Sequence, residues 1–212
     1  MEAPRAWTDQ FDDWLFWCDV ETTGLDPNED VMLEIAWALR PRKAELAFTV
    51  FPNGALAFAR PDGQYQFHVG PGIMMRADVA RMHGSSGLLD VCLGLPIDRN
   101  THEAQAIIMT DIDRILGVDP KKKLTLAGSS PHGVDRPFIE RFMPTLHERL
   151  HYRHCDVSAW RMLVEMRGVE IPELKSRPHR AHPDLEASME LGAMCFAHTT
   201  TVFELGSTRS EE

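Results

Sequence analysis

The sequence predicts a single α/β domain, and three features of its patterning carry that reading. Apolar runs of strand length recur at 14–18, 31–39, 45–51 and 124–127. Longer stretches at 102–116 and 183–197 repeat their apolar residues at helical spacing. The run 124–127 passes through a glycine-bounded loop into a helix start, the pattern that lays helices against a sheet. With 212 residues and 43% hydrophobic content, the chain can bury one substantial core.

Residues 1–13 are mostly polar, with acids at Asp9, Asp12 and Asp13, and are expected to form an N-terminal extension. Trp14 to Cys18 reads as a buried strand that delivers Asp19 and Glu21 into the turn Thr22-Thr23-Gly24. Val31 to Leu39 reads as the second strand and Glu45 to Phe51 as the third, which together suggest an antiparallel meander. Glu34, between Leu33 and Ile35, is assigned a satisfied structural role. The region 52–72 is rich in Gly and Pro and reads as an inserted loop, with Gln64 to Val69 as a possible fourth strand.

Ile73 to His83 shows helical spacing at Met74, Ala77, Val79 and Met82. A helix from His102 to Leu116 carries a stripe of Ala106, Ile107, Met109, Ile112, Ile115 and Leu116. Lys121-Lys122-Lys123 reads as a solvated turn. Leu124 to Ala127 is a short buried strand, and Asp135 opens a helix packed through Phe138, Ile139, Phe142 and Met143 until Pro144. Tyr152 to Asp156 leads into a helix near Val157 to Arg167. The last helix runs from Pro183 to about Ala197, with Leu185, Met189, Gly192, Ala193 and Phe196 facing the core. The domain thus spans 14–200, and residues 206–212 form a frayed tail.

No apolar run reaches the roughly 20 residues needed to cross a bilayer. The start Met1-Glu2-Ala3-Pro4-Arg5 lacks the features of a secretion signal, so a cytoplasmic location is expected. Cys18, Cys92, Cys155 and Cys195 are scattered and read as reduced packing residues. A net charge of −10 argues against a basic surface that grips long nucleic acid. It leaves room for a short anionic substrate, provided bound metal supplies positive charge locally.

Acids at element boundaries are the chemical signal. Asp19 and Glu21 alternate with Val20 and so project from one side of the first strand. Two carboxylates so placed repel each other, and a divalent cation with oxygen ligands removes that cost. An ordinary strand running out into a polar turn accounts for the pair equally well. Asp135 at a strand-to-helix junction reads on its own as an N-cap. Asp184, just after Pro183, reads on its own as a helix-dipole partner, with His179 in the loop before it on the surface.

The order of these acids is more telling than any one of them. Asp-x-Glu on a first strand, Asp at a later strand-to-helix junction and His-x4-Asp at a final helix resemble the DEDDh family of 3′–5′ exonucleases, and within it the oligoribonucleases. The resemblance runs from about Trp14 to Phe196. It rests on Cys18-Asp19-Val20-Glu21-Thr22-Thr23-Gly24-Leu25-Asp26-Pro27, on Leu33-Glu34-Ile35-Ala36, and on Met82-His83-Gly84-Ser85-Ser86-Gly87-Leu88. Further on it rests on Ala127-Gly128-Ser129-Ser130, Asp135-Arg136-Pro137-Phe138-Ile139, Phe142-Met143-Pro144, His151-Tyr152-Arg153 with Asp156-Val157-Ser158, and His179-Arg180-Ala181 with Asp184.

The resemblance implies a ribonuclease-H-like fold, a mixed five-stranded sheet flanked by helices. It implies that Asp19, Glu21, Asp135 and Asp184 hold two magnesium or manganese ions, roughly 4 Å apart, with His179 as general base for the attacking water. By position, Leu25 matches a residue that wedges between the terminal bases, Thr22 and Thr23 match contacts to the terminal nucleotide, and His83 and Ser129 match residues that cap the short substrate. Tyr152 and Arg153 match a stacking tyrosine and an arginine near the 5′ phosphate that the neighbouring subunit supplies, which implies a homodimer. Asp78 stands where these enzymes carry a stacking tryptophan, Pro183 replaces a common acid, and Pro131-His132-Gly133 lengthens the loop before Asp135. The expected activity is metal-dependent 3′–5′ hydrolysis of short single-stranded RNA to nucleoside monophosphates. The alternatives are action on single-stranded DNA or structured RNA 3′ ends, and a nuclease fold that binds nucleic acid without cutting it.

Overall fold

The computed structural model describes residues 14–41, 49–50, 56–57, 61–119, 121–172 and 178–207, with backbone alone at 49–50, 56–57 and 199–207. The extension 1–13, most of the strand expected at 45–51, parts of the inserted loop and the last five residues of the tail lie outside them. A mixed five-stranded sheet forms the centre, built from β1 (Trp14–Thr22), β2 (Met32–Pro41), β5 (Gly63–Gln66), β6 (Leu124–Gly128) and β7 (Leu150–Asp156). Its order is β5-β2-β1-β6-β7, with β1–β2 and β2–β5 antiparallel and β1–β6 and β6–β7 parallel. The expected meander is therefore present, but its third strand is β5 and not the 45–51 run. Within that run the described pair Thr49–Val50 (β3) meets Leu56–Ala57 (β4) in a separate two-stranded ribbon.

Period-two alternation along β1 sorts its side chains between two cores. Phe16, Cys18 and Val20 turn to one face, where they pack with Ile35, Trp37 and Leu39 of β2 and with Leu126 of β6. α3 (Thr101–Leu116), α4 (Asp135–Phe142) and α5 (Pro144–Glu148) cover that face. Leu15 and Trp17 turn to the other, joining Ala36, Ala38 and Ala127 beneath α6 (Val157–Glu165) and α7 (Ala181–Ser207). The alanines let α7 settle close to the sheet. Gly192 goes further: a Cβ there would stand 2.9 Å from the Trp17 ring and 3.2 Å from Val157 Cγ1.

Helix starts follow local chemistry. Asn100 caps α3 by accepting N–H groups from His102 and Glu103 at 2.9 and 3.1 Å. The buried stripe of α3 is Ala104, Ile108, Ile112 and Leu116, which matches the expected stripe at Ile112 and Leu116 but not in the first turns: Ala106 is exposed and Ile107 is 41% exposed, while Met109 and Ile115 only flank the core. The helix expected from Ile73 begins at Ala77 and ends at Ser85 (α1), because Arg76 is extended and Met74 stands in solvent. A further short helix, Leu88–Gly94 (α2), buries Leu88 and Cys92 against Leu33 and Val69. α7 begins two residues before Pro183 and runs past Ala197. Among the described residues no helix is long and apolar enough to cross a membrane.

Candidate active site

The alternation that buries Leu15 and Trp17 carries Asp19 and Glu21 to the same face, at the C-terminal end of β1. β6 runs parallel to β1, so its C-terminal end and the following loop open at the same edge of the sheet. Gly128 makes that close approach possible, since a Cβ there would meet the Cys18 carbonyl oxygen at 2.8 Å. Six residues after the loop enters at Ser129, α4 starts with Asp135, whose buried carboxylate accepts the Val20 N–H at 3.0 Å. Asp135 is thus tied to the acidic strand. Val134 takes the N-cap position, without a side-chain cap.

α7 brings the fourth acid. Asp184 lies buried in its first turn, and its N–H donates to the Arg180 carbonyl at 3.1 Å. His179 precedes the helix on a left-handed backbone, with φ at 54°, and is exposed. Ligand atoms of Glu21, His179 and Asp184 all lie within 4.8 Å of one another, close enough to share a metal ion. Asp19, Glu21 and Asp135 line one open cleft of about 1120 Å³. His179 borders an adjoining hollow that shares Asp78 and Met82 with that cleft.

Crowding shows in the proton affinity of Glu21. Burial first, then the charges of Asp184, Glu34 and Asp135, push its carboxyl up to about 8. A divalent cation offsets this repulsion, and a set of carboxylates with one imidazole suits a hard or borderline metal. The donor set therefore fits a metal centre, and among the described residues it is the one such group.

The residues expected to meet substrate fall into three groups. Leu25 stands 74% exposed at the mouth of the cleft, and Ser129 lines the cleft with its hydroxyl 2.9 Å from that of Ser188. Thr22 and Thr23 also line it, but their hydroxyls are engaged in the turn itself. Thr22 donates to the Gly24 carbonyl, while Thr23 donates to Asp30 and accepts the Val31 N–H, each at 3.0 Å. Through these bonds the two threonines shape the loop that presents Leu25.

His83 departs furthest from expectation. It is fully buried, with Nε2 2.9 Å from the Thr22 carbonyl and Nδ1 4.0 Å from Glu21. Burial is the main reason its imidazole sits below the ordinary histidine range, with the His179 charge adding to it and the Thr22 carbonyl opposing. The ring thus holds Thr22 and backs Glu21. Tyr152 and Arg153 lie on edge strand β7, outside the lining of their own chain's cleft. Tyr152 is 68% exposed, with the Arg153 guanidinium 5.4 Å from its ring centre.

Several lining residues escaped sequence reading. Met74, Met75, Arg76, Val79 and Met82 line the same cleft as Leu25, and Arg76 pairs there with Asp78 at 2.8 Å. Their signal was masked because the run was read as one amphipathic helix. Glu34 has the satisfied role expected of it, and its partners lie at the site. It accepts from Arg180 Nε and a terminal Arg180 nitrogen at 3.0 and 2.9 Å, from the Ala181 N–H at 2.8 Å and from Gln66 at 2.6 Å. Burial works to raise its pKa, but those hydrogen bonds and the Arg180 charge hold the carboxyl below the ordinary range.

No family model matches the chain. Curated relatives do. An oligoribonuclease of Tropheryma whipplei (strain Twist) is 35% identical over 187 residues, covering 84% of this chain and 89% of the relative. The chain belongs to the oligoribonuclease family. Oligoribonucleases of Ectopseudomonas mendocina and Coxiella burnetii are 30% and 29% identical, covering 82% and 84% of this chain and 89% and 90% of their own. Membership makes this chain a 3′–5′ exonuclease. Solved structures agree on the fold: exonuclease I of Methylocaldum szegediense superposes with TM-score 0.56 at 16% identity over 86% of the chain. A zinc-bound E. coli exonuclease I complex with single-stranded DNA gives 0.59 at 12% identity over 93%. The chain spans about two fifths of those longer nucleases, 40% and 43% of their lengths.

Proposed function

We propose that this protein removes nucleoside monophosphates from the 3′ end of short single-stranded RNA, as a single catalytic domain acting in the cytoplasm. The observation that carries the reading is the convergence within 4.8 Å of Glu21 from the first strand, His179 from the loop before the last helix and Asp184 from that helix's first turn. Asp19, Glu21, Asp135 and Asp184 would hold two divalent ions, magnesium or manganese, whose charge favours attack on the phosphodiester and departure of the 3′ oxygen. The chain's own groups do the rest. His179, exposed on its loop, takes the proton of the attacking water. Leu25 wedges against the terminal base, and the backbone of the Thr22–Thr23 turn holds the terminal nucleotide. Tyr152 and Arg153, outside the lining of their own cleft, serve the cleft of a second copy in a homodimer, stacking on a base and meeting the 5′ phosphate.

The decisive experiment measures hydrolysis of labelled RNA of about two, five and twenty nucleotides beside DNA of equal length, in magnesium, manganese and chelator. The expected result is metal-dependent release of monophosphates, fastest on the shortest RNA and slow on long chains and DNA. Equal rates on twenty-nucleotide RNA or DNA would overturn the substrate assignment, and turnover in chelator would overturn the metal assignment.

A further inference from the structure

Glu34 sits at the end of β2, cross-strand from Glu21, and its even-numbered position turns it to the same sheet face as Asp19 and Glu21. Its carboxylate is fully buried, and besides Gln66 it is held by Arg180 and the Ala181 N–H, from the segment that carries His179 and Asp184. Two parallel N–H···O bonds from Arg180 fix the guanidinium plane, and a third bond from the Ala181 N–H fixes the backbone beside it. The Arg180 carbonyl in turn accepts the Asp184 N–H. His179 is the residue before this clamp, held on a left-handed backbone that a non-glycine residue adopts only when its surroundings impose it. The preceding residue, Pro178, is exposed and has no N–H to donate.

We infer that Glu34 is a positioning residue for hydrolysis: through Arg180 and the Ala181 amide it sets the loop that holds His179 over Glu21 and Asp184. It touches neither substrate nor reacting atoms. This rests on the reading of His179 as proton acceptor given above. The clamp spans sheet and last helix, so it registers the two halves of the site against each other. Arg180 suits the task better than a lysine, because only a planar fork reads both carboxylate oxygens at once.

A double-mutant cycle tests it. Glu34→Gln, which cannot accept all these bonds, is compared in the wild-type and His179→Ala backgrounds, with kcat and KM measured on a short RNA and melting followed by circular dichroism. The expected result is a kcat about tenfold or more below wild type with KM within about threefold, and less than about twofold further loss once His179 is absent. An undiminished kcat, or the same loss in both backgrounds, would overturn the positioning role. Arg180→Lys keeps the charge but not the fork. It runs through the same cycle with the same expected non-additivity, so a Glu34→Gln protein that fails to fold does not end the test. Asp19→Asn is measured alongside. Its activity at wild-type level would remove the catalytic reading itself, whereas an inactive Asp19→Asn beside a fully active Glu34→Gln removes the clamp alone.

Discussion

Glu21 bears the electrostatic load of the site, and that load has a pH signature. Its folded pKa of about 8 lies above the ordinary 4.5, so between those values the folded metal-free chain keeps a proton that the unfolded chain has released. Stability therefore declines as pH rises through that window. Chelated protein is expected to melt several degrees lower at about pH 8 than at about pH 6, and Glu21→Gln should flatten the difference. Magnesium should raise the melting temperature more at the higher pH, which calorimetry with and without the ion would show. Thr23 makes a separate prediction. The residue is 1% exposed and its hydroxyl joins Asp30 to the Val31 N–H, so Thr23→Val should cost about 1–3 kcal/mol in urea unfolding. The residue scale was also where sequence reading was strongest: spacing alone put Asp19 and Glu21 on one side of a strand. It could not show that the Thr23 hydroxyl is occupied or that His83 is buried, because both depend on partners brought in by folding.

Among the elements, α7 is the one whose placement decides the most. It is seated by Gly192, where a Cβ would stand 2.9 Å from the buried ring of Trp17. Gly192→Val is expected to destabilise by about 1–3 kcal/mol and to lower activity further, by lifting Asp184 from Glu21. Thermal melting and hydrolysis of a short RNA would separate the two effects. Asn100→Ala, which removes the α3 cap far from the cleft, should cost about 1 kcal/mol and leave kcat unchanged. Long, strongly patterned elements such as β1, β2 and α7 were legible in the sequence. β5 was read only as a possible strand, because Gly63-Gln64-Tyr65-Gln66 has few strand formers and is held by its neighbour β2. α2 spans seven residues, too few to display a period. The stripe of α3 was misphased in its first turns because Ile107, Ile108 and Met109 are consecutive, and apolar character alone does not say which of them faces inward.

For the molecule as a whole, net charge sets how substrate is met. At −10 the chain repels a long polyanion, so binding of a short RNA should show a shallow salt dependence. The slope of log affinity against log salt, measured by fluorescence anisotropy with an inactive Asp19→Asn variant, is expected to correspond to only a few phosphates. A steep slope on twenty-nucleotide RNA would point to an extended basic track that the composition does not provide. The contact between Glu34 and Arg180 spans 146 positions, and no local pattern announced it. Pairings at that range were the least legible part of the site.

The order in which the site's parts leave the ribosome follows from where they sit. A nascent chain halted between Asp135 and Ala181 carries Asp19, Glu21 and Asp135 but lacks Asp184 and the helix that seats it. Such a fragment lacks one of the four acids and the helix that packs with α6 over Trp17. On the proposed reading, hydrolysis becomes possible only once the closing segment has been made.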